Sequence, residues 1–188
     1  MKVFIAGPRA ISKLNKRVEE RLNNIYSRQM NVIVGDAAGV DKAVQDYFFR
    51  MKYQNVSVYA TQGKARNNIG SWKVVNVEVE KILKGFEFYA AKDIRMAEEA
   101  DYGFMIWNGK SKGTLNNVIN LINRKKKTLI YFVPGNEFFT VKTLEDLERI
   151  VSLCEEDTRN LFNNLSQKNV QLVKDEMKEY ITEEQLLF

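Results

Sequence analysis

The sequence has no histidine, one cysteine (Cys154) and two prolines among its 188 residues. Without histidine there is no Ser-His-Asp or Cys-His nucleophile system, so any proton transfer must use carboxylates, Lys, Arg or Tyr. A single cysteine cannot form an internal disulfide, which favours a reducing compartment and leads us to expect a cytoplasmic protein. No His, Cys or carboxylate cluster has the spacing of metal ligands, so we expect no metal.

Long apolar runs are also missing. No stretch approaches the roughly 18 apolar residues that a membrane-spanning helix requires. The apolar stretch at residues 3–6 is too short for a secretory signal. We therefore expect a soluble, unprocessed chain without a membrane partner, whose length suits one domain of roughly 150 residues with an appendage.

Charge is unevenly distributed along the chain. Residues 1–135 carry 23 Lys and Arg against 12 Asp and Glu, a net charge of +11, whereas residues 136–188 carry 6 against 12, a net charge of −6. A basic body favours anionic partners, including nucleotides, nucleic acid and phosphorylated metabolites. The basic run at residues 124–127 has no interleaved aromatic residues and is interpreted as a helix end, where cations complement the helix dipole.

Short apolar runs alternate with amphipathic helical patterns up to Pro134. Strands are predicted at residues 3–6, 32–34, 56–59, 86–89, 102–107 and 128–133, with a long loop at 61–71 and a short helix at 93–99. This alternation predicts an α/β, Rossmann-like, three-layer α/β/α fold with a mainly parallel sheet over residues 1–135. Two helical stripes, at 144–154 and 170–186, predict an acidic helical extension over residues 136–188.

Three turns rich in glycine or small residues follow predicted strands and precede predicted helices. They are Gly7-Pro8-Arg9, Gly35-Asp36-Ala37-Ala38-Gly39 and Gly109-Lys110-Ser111-Lys112-Gly113-Thr114. In a parallel sheet these turns share one edge, where ligands bind. Helix N-termini attract phosphate and glycine lets the main chain approach it, so the turns predict a phosphate-bearing ligand. The alternative is ordinary turn and N-cap chemistry.

Candidate roles follow from residue chemistry. Phosphate donors are Arg9, Ser111, Lys112 and Thr114, and the main chain at Gly7, Gly35, Gly39 and Gly113 is expected to make close contacts. Pro8 and Gly109 complete the turns. Asp36 and Asp41 are candidates for sugar hydrogen bonding or for helix capping. Trp107 either stacks on a base or packs in the core.

These turns and their flanking residues resemble the SLOG superfamily, a Rossmann-like group that includes DprA-like, YspA/YpsA-like and lonely-guy proteins. The resemblance is strongest to the YspA/YpsA-like branch and covers roughly residues 1–135. It implies a nucleotide or nucleotide-derived ligand. Arg66 and Asn67 resemble the Arg-Asn pair that follows the third strand of that branch, which implies that they orient the sugar or base.

The resemblance also frames a test for catalysis. In lonely-guy enzymes and the similar nucleoside deoxyribosyltransferases, a glutamate follows the Gly-Thr turn within three residues. Here the turn is followed by Leu115, Asn116 and Asn117, and an amide cannot act as a nucleophile or base. The opening at residues 4–8 resembles the deoxyribosyltransferases, so an N-glycosidic hydrolase or transferase stays an alternative, with Asp36 or Asp41 as acid or nucleophile.

The leading hypothesis is a protein that binds a nucleotide or nucleotide-derived small molecule as a sensor or carrier, with no other cofactor. The tail is expected to complete a homodimer or to cover the pocket. A second alternative, suggested by the net positive charge of residues 1–135, is a DprA-like protein that binds single-stranded DNA.

Overall fold

The structure, a computed structural model, describes residues 1–63, 65–79 and 85–167. The strands are β1 (Lys2–Ala6), β2 (Asn31–Gly35), β3 (Val56–Thr61), β4 (Lys73–Val77), β5 (Tyr102–Trp107), β6 (Lys127–Phe132) and β7 (Glu137–Val141). The helices are α1 (Lys16–Ser27), α2 (Val40–Arg50), α3 (Gly85–Glu99), α4 (Lys112–Asn123) and α5 (Leu144–Val151), and residues 156–167 form a C-terminal helical segment. Within those ranges, no helix has both the length and the apolar character needed to cross a membrane.

The seven strands form one sheet in the order β4-β3-β2-β1-β5-β6-β7. Neighbouring strands from β4 to β6 are parallel, and β7 runs antiparallel beside β6. The predicted α/β, Rossmann-like fold with a mainly parallel sheet is confirmed.

Alternate residues of each strand enter two separate cores. On β1, Val3 and Ile5 pack with α1 and α2, whereas Phe4 and Ala6 pack with α3, α4, α5 and the C-terminal helical segment. Central strands are therefore buried on both faces, which explains why they are near-continuous apolar runs in the sequence.

The strand order places a switch point between β1 and β5. The chain builds outward from β1 through β2, β3 and β4, then crosses back to place β5 on the other side of β1. Helices that follow β1 and β5 consequently diverge to opposite faces of the sheet. Ligands in open α/β sheets bind in the crevice that this divergence creates at the carboxyl ends of the strands.

Three elements differ from the sequence-based expectation. Residues 86–89, expected as a strand, belong to the single helix α3, which also contains the expected short helix. Strand β4 was also missed; three of its five residues are valine, but it is an edge strand in which no side chain is fully buried. Strand β7 was missed because only helices were expected after Pro134, yet this segment joins the sheet before the chain turns helical.

Helical structure follows β7 at α5 and at residues 156–167. The second predicted helical stripe, at 170–186, lies outside the described residues. The domain division at residue 135 stays a prediction.

Candidate functional site

A cavity of about 520 Å³ lies at the carboxyl ends of β1 and β5. It is lined by Ala6, Gly7, Pro8, Arg9, Ala37, Asp41, Arg66, Gly85, Tyr89, Ala90, Lys92, Asp93, Met96, Ser111, Lys112, Gly113, Thr114 and Asn117. Its walls are thus the turns after β1, β2 and β5, the loop after β3 and one side of α3. The volume falls in the range of small-molecule sites.

The first two turns are packed directly against each other. A Cβ on Gly7 would lie 2.7 Å from the carbonyl oxygen of Ile106 and from a methyl group of Val40, so only glycine fits there. Gly39 has a positive φ of 80°, and a Cβ on it would overlap the backbone of Arg9. These two glycines are required for the close approach of the turns, which fixes the position of Arg9 at the cavity wall.

The loop after β3 is tied to the second turn by an ion pair. Arg66 donates to Asp36 through Nε (2.9 Å), Nη2 (2.6 Å) and its backbone N–H (3.1 Å). Burial opposes ionisation of Asp36, but these hydrogen bonds and the charge of Arg66 outweigh it and hold the pKa of the carboxyl below its ordinary value. Asp36 is therefore committed to Arg66 and does not line the cavity.

Gln45 on α2 reinforces the same loop from beneath. Its Nε2 donates to the carbonyl oxygens of Gly35 (2.9 Å) and Asn67 (3.2 Å), and its Oε1 accepts from the N–H of Ile69 (3.1 Å). The Asn67 amide in turn donates to the carbonyl oxygen of Asp36 (2.8 Å). Asn67 thus acts on the loop rather than on the cavity, and buried Gln45 was not singled out from the sequence.

The cavity floor is a cluster of charged side chains. Lys92 donates from Nζ to Oδ1 of Asp93 at 2.7 Å, and Oδ2 of Asp41 accepts from the N–H of Ala37 at 3.2 Å. Burial raises the pKa of Asp41 to about 6. The positive charge of Lys92 opposes this rise, and the negative charge of Asp93 adds to it. Burial disfavours the ammonium form of Lys92, but the negative charges of Asp93 and Asp41 outweigh the effect of burial. The pKa of Lys92 is therefore raised, and Lys92 stays protonated.

Asn117 extends this cluster onto α4. With its amide oriented to satisfy its neighbours, it donates to Oδ2 of Asp93 (3.2 Å) and to the carbonyl oxygen of Gly113 (3.3 Å). Asn117 stands in the region where the related enzymes have a glutamate, and it is next to the carboxylate of Asp93 on α3. A carboxylate does face the cavity, supplied by a different helix.

The third turn begins α4 at the cavity wall. Ser111 is the N-cap, and its Oγ accepts from the N–H (3.3 Å) and from Oγ1 (3.0 Å) of Thr114. A Cβ on Gly113 would meet no atom within 4 Å, so the main chain there faces open space. The positive end of the α4 dipole thus lies at the cavity, beside Lys112.

Trp107 lies beneath this turn and not in the cavity. Its side chain is fully buried, its ring packs on Phe132 at 5.8 Å, and its Nε1 donates to the carbonyl oxygen of Ser111 at 3.2 Å. Of the two roles left open for Trp107, the structure shows packing in the core, since the indole has no free face for a base. Gly109 likewise packs against Phe132 and Cys154.

At the mouth, Tyr89 lies between two arginines. The guanidinium carbons of Arg9 and Arg66 lie 5.4 Å and 4.8 Å from the centre of its ring. Cation–π contacts hold both side chains at the rim of the cavity.

The structure brings most predicted residues together. Those that line the cavity are Gly7, Pro8, Arg9, Asp41, Arg66, Ser111, Lys112, Gly113 and Thr114, whereas Gly35, Asp36, Gly39, Asn67, Trp107 and Gly109 lie behind the wall and support it. Lys92, Asp93 and Met96 of α3 were missed from the sequence. Together with Tyr89 they have the spacing of one helical face, a signal that the expected strand at 86–89 obscured.

No protein-family model matches the sequence, and neither does any curated protein. Among solved structures, the chain is similar to DNA processing protein A from Helicobacter pylori, described for a unique single-stranded DNA binding mode. The TM-score is 0.54 at 14% identity, and the match covers 89% of this chain and 81% of that one. At this identity the similarity shows the Rossmann-like fold alone.

Proposed function

We propose that the protein binds a nucleotide or nucleotide-derived small molecule in this cavity, as a sensor or carrier. The observation that carries the proposal is the opposite polarity of two regions of one cavity. Arg9, Lys112 and the N-terminus of α4 supply positive charge, whereas Asp41 and Asp93 supply carboxylate oxygens. A nucleotide has matching parts, since its phosphate is anionic and its sugar hydroxyls and base amino groups are hydrogen-bond donors.

The positive region is suited to a phosphate. Arginine forms bidentate hydrogen bonds with phosphate oxygens, and the first turn of a helix offers N–H groups along its dipole. Arg66 contributes less net charge, because Asp36 neutralises it. We assign the phosphate to Arg9 and Lys112, which both line the cavity.

The floor is suited to hydrogen-bond donors. Two carboxylates, Asp41 and Asp93, outnumber the single ammonium of Lys92, so the floor is negative above the pKa of Asp41. A second phosphate at the floor would be repelled. The proposal thus orients the ligand with its phosphate against α4 and its sugar or base against α3.

The test is to measure the binding of a panel of nucleoside monophosphates and nucleosides by thermal unfolding and by calorimetry. Arg9→Ala and Lys112→Ala are expected to lower monophosphate affinity by about tenfold or more, the loss of one charge-assisted contact. Lys42→Ala removes the same charge from an exposed position outside the cavity and is the control. Equal stabilisation of all four proteins by nucleotide would place the ligand elsewhere. Mass spectrometry of small molecules that copurify with the protein would identify the ligand class.

A rival function is cleavage or transfer at a nucleoside N-glycosidic bond. The observation that favours it is Asp93, an ionisable carboxylate in the cavity beside Asn117. Of the earlier candidates, Asp36 is committed to Arg66, and Asp41 lines the cavity. Release of free base from the panel, measured by chromatography and lost in Asp93→Asn, would establish the enzyme and refute a pure binder.

A further inference from the structure

A second concave surface lies at the opposite end of the parallel strands from the cavity, and the two share no lining residue. It is a groove of about 420 Å³ between α1, the amino-terminal halves of β5 and β6, and the carboxyl-terminal half of the antiparallel strand β7. Among the described residues, the helices on this face of the sheet are α1 and α2, and every other helix packs in the opposite core. The face of β5, β6 and β7 beyond α1 is therefore left without a helix within the described chain.

One wall of the groove is formed by Arg21 and Asn24 of α1 and by its C-cap, Arg28, and Arg17 continues this polar row beyond the groove. Arg17, Arg21, Asn24 and Arg28 are exposed and spaced by four, three and four residues, which places them on one side of the helix. The row is about 16 Å long at 1.5 Å per residue. Within the described chain, no ion pair joins a carboxylate to any of these arginines.

The other wall is the exposed sheet face. Tyr102, 39% exposed, lies in register beside Lys127, and Leu129 lies beside Thr140 on the next pair of strands. All four face the groove, because alternate residues of a strand share a side. The groove is lined by three cationic side chains, Arg21, Arg28 and Lys127, and by no Asp or Glu among the described residues.

Aromatic contacts fix the arginines on this face. The guanidinium carbons of Arg17 and Arg21 lie 5.3 Å and 4.8 Å from the ring centre of Phe138, and Arg17 also donates to the carbonyl oxygen of Asn136. The guanidinium planes are thus held close to the sheet instead of extending into solvent. Less conformational entropy is then lost when they bind an anion.

We propose that this groove binds single-stranded nucleic acid, with phosphates on the α1 row and bases on the sheet face around Tyr102. Single strands are bound where a cationic groove follows the backbone and an aromatic ring offers a surface for unstacked bases. At 3.4 Å per stacked nucleotide, the row spans about five nucleotides. A duplex hides its bases from such a surface, and an acidic peptide has no flat ring to stack on Tyr102.

The test uses the full chain and fluorescence anisotropy with labelled dT12 and rU12 at 50 mM and 200 mM salt. We expect binding that weakens steeply with salt, and weaker binding of the corresponding duplex. Arg21→Ala combined with Arg28→Ala is expected to weaken binding at least tenfold, and Tyr102→Ala by about tenfold. Lys42→Ala combined with Lys73→Ala removes the same charge elsewhere and is expected to weaken binding less than threefold.

The proposal would be overturned by no binding at 50 mM salt or by equal losses in the Arg21→Ala/Arg28→Ala and Lys42→Ala/Lys73→Ala variants. Equal affinity for an oligoglutamate of matched charge would also overturn it and would indicate an acidic-peptide surface. Arg9→Ala combined with Lys112→Ala separates this site from the cavity, since that variant is expected to keep its affinity for dT12. Loss of dT12 binding there would place the strand in the cavity instead. Circular dichroism confirms that each variant is folded.

Discussion

Two buried aspartates five residues apart, Asp36 and Asp41, are expected to respond oppositely to the same substitution. Asp41 lies at the cavity floor without an ion pair within 4 Å among the described residues, whereas Asp36 is paired with Arg66. Burial therefore favours the neutral form of Asp41, and its pKa rises to about 6. Asp41→Asn, which keeps the shape and removes the charge, is expected to stabilise the protein above pH 6.

The magnitude follows from linkage between protonation and folding. A rise in the pKa of Asp41 from 3.8 to about 6 corresponds to about 3 kcal/mol of free energy of unfolding lost when the group is ionised. Below about pH 4 Asp41 is protonated in both the folded and the unfolded chain, so no free energy of unfolding is lost. Between about pH 4 and pH 6 the unfolded chain ionises first, so stability falls, and above about pH 6 the loss is complete.

The assay is urea and thermal unfolding of wild type and Asp41→Asn between pH 4 and pH 8. At pH 8 the variant is expected to gain up to about 3 kcal/mol, a Tm increase of about 6–12 °C for a domain of this size. The matched control, Asp36→Asn, is expected to lose about 2 kcal/mol at pH 8, because it weakens charged hydrogen bonds to Arg66. That loss should stay nearly constant across this pH range, because the pKa of Asp36 is lowered and the carboxylate stays ionised in the folded protein.

The informative readout is the difference between wild type and Asp41→Asn as a function of pH. Any effect of the amide itself adds a constant offset, whereas the charge effect changes between pH 4 and pH 6. A difference that stays flat across this range would refute the reasoning, as would destabilisation by Asp41→Asn that grows with pH. Either result would mean that Lys92 compensates the charge of Asp41 fully.

Further predictions concern the supports of the cavity. Gly39→Ala is expected to cost more than about 2 kcal/mol in urea unfolding, because its φ is positive and a Cβ would overlap the first turn, whereas Gly113→Ala, with open space, should change stability by less than about 1 kcal/mol. Thr158→Val removes a buried hydrogen bond, 2.7 Å long, to the carbonyl oxygen of Gly109 and is expected to cost about 1–3 kcal/mol and to weaken nucleotide binding in calorimetry. Burial raises the pKa of the Cys154 thiol, so iodoacetamide should modify it far more slowly in folded protein than in urea, and equal rates would contradict its position.

The sequence predicted those parts of the fold that depend on local patterns. Apolar runs of strand length and amphipathic stretches alternate in the body, and this periodicity was enough to predict the mainly parallel sheet. Edge elements were the ones missed. β4 has three valines but no fully buried side chain, and β7 follows Pro134, beyond the last strand that the alternation indicated.

The candidate site shows the same division. Arg9 and Lys112 were predicted correctly to lie at one edge, because parallel strands bring their turns together. Lys92 and Asp93 were not predicted, since their role depends on how α3 packs across the sheet. For Trp107 the sequence left base stacking and core packing open, and only the folded structure decides for the core, because the indole is covered by Phe132 and the third turn.

The sequence by itself determined the alternation of the central strands with helices, the three glycine-containing turns and the absence of histidine chemistry, because each is a property of neighbouring residues or of composition. Only the tertiary structure decided that Asp36 is neutralised by Arg66 and that Asp41 lies against the charges of α3. Burial and partners decide the charge state of a carboxylate, and both come from residues far away in the chain. For the same reason the groove beside α1 was invisible in the sequence, since its basic row meets Tyr102 only in the folded sheet.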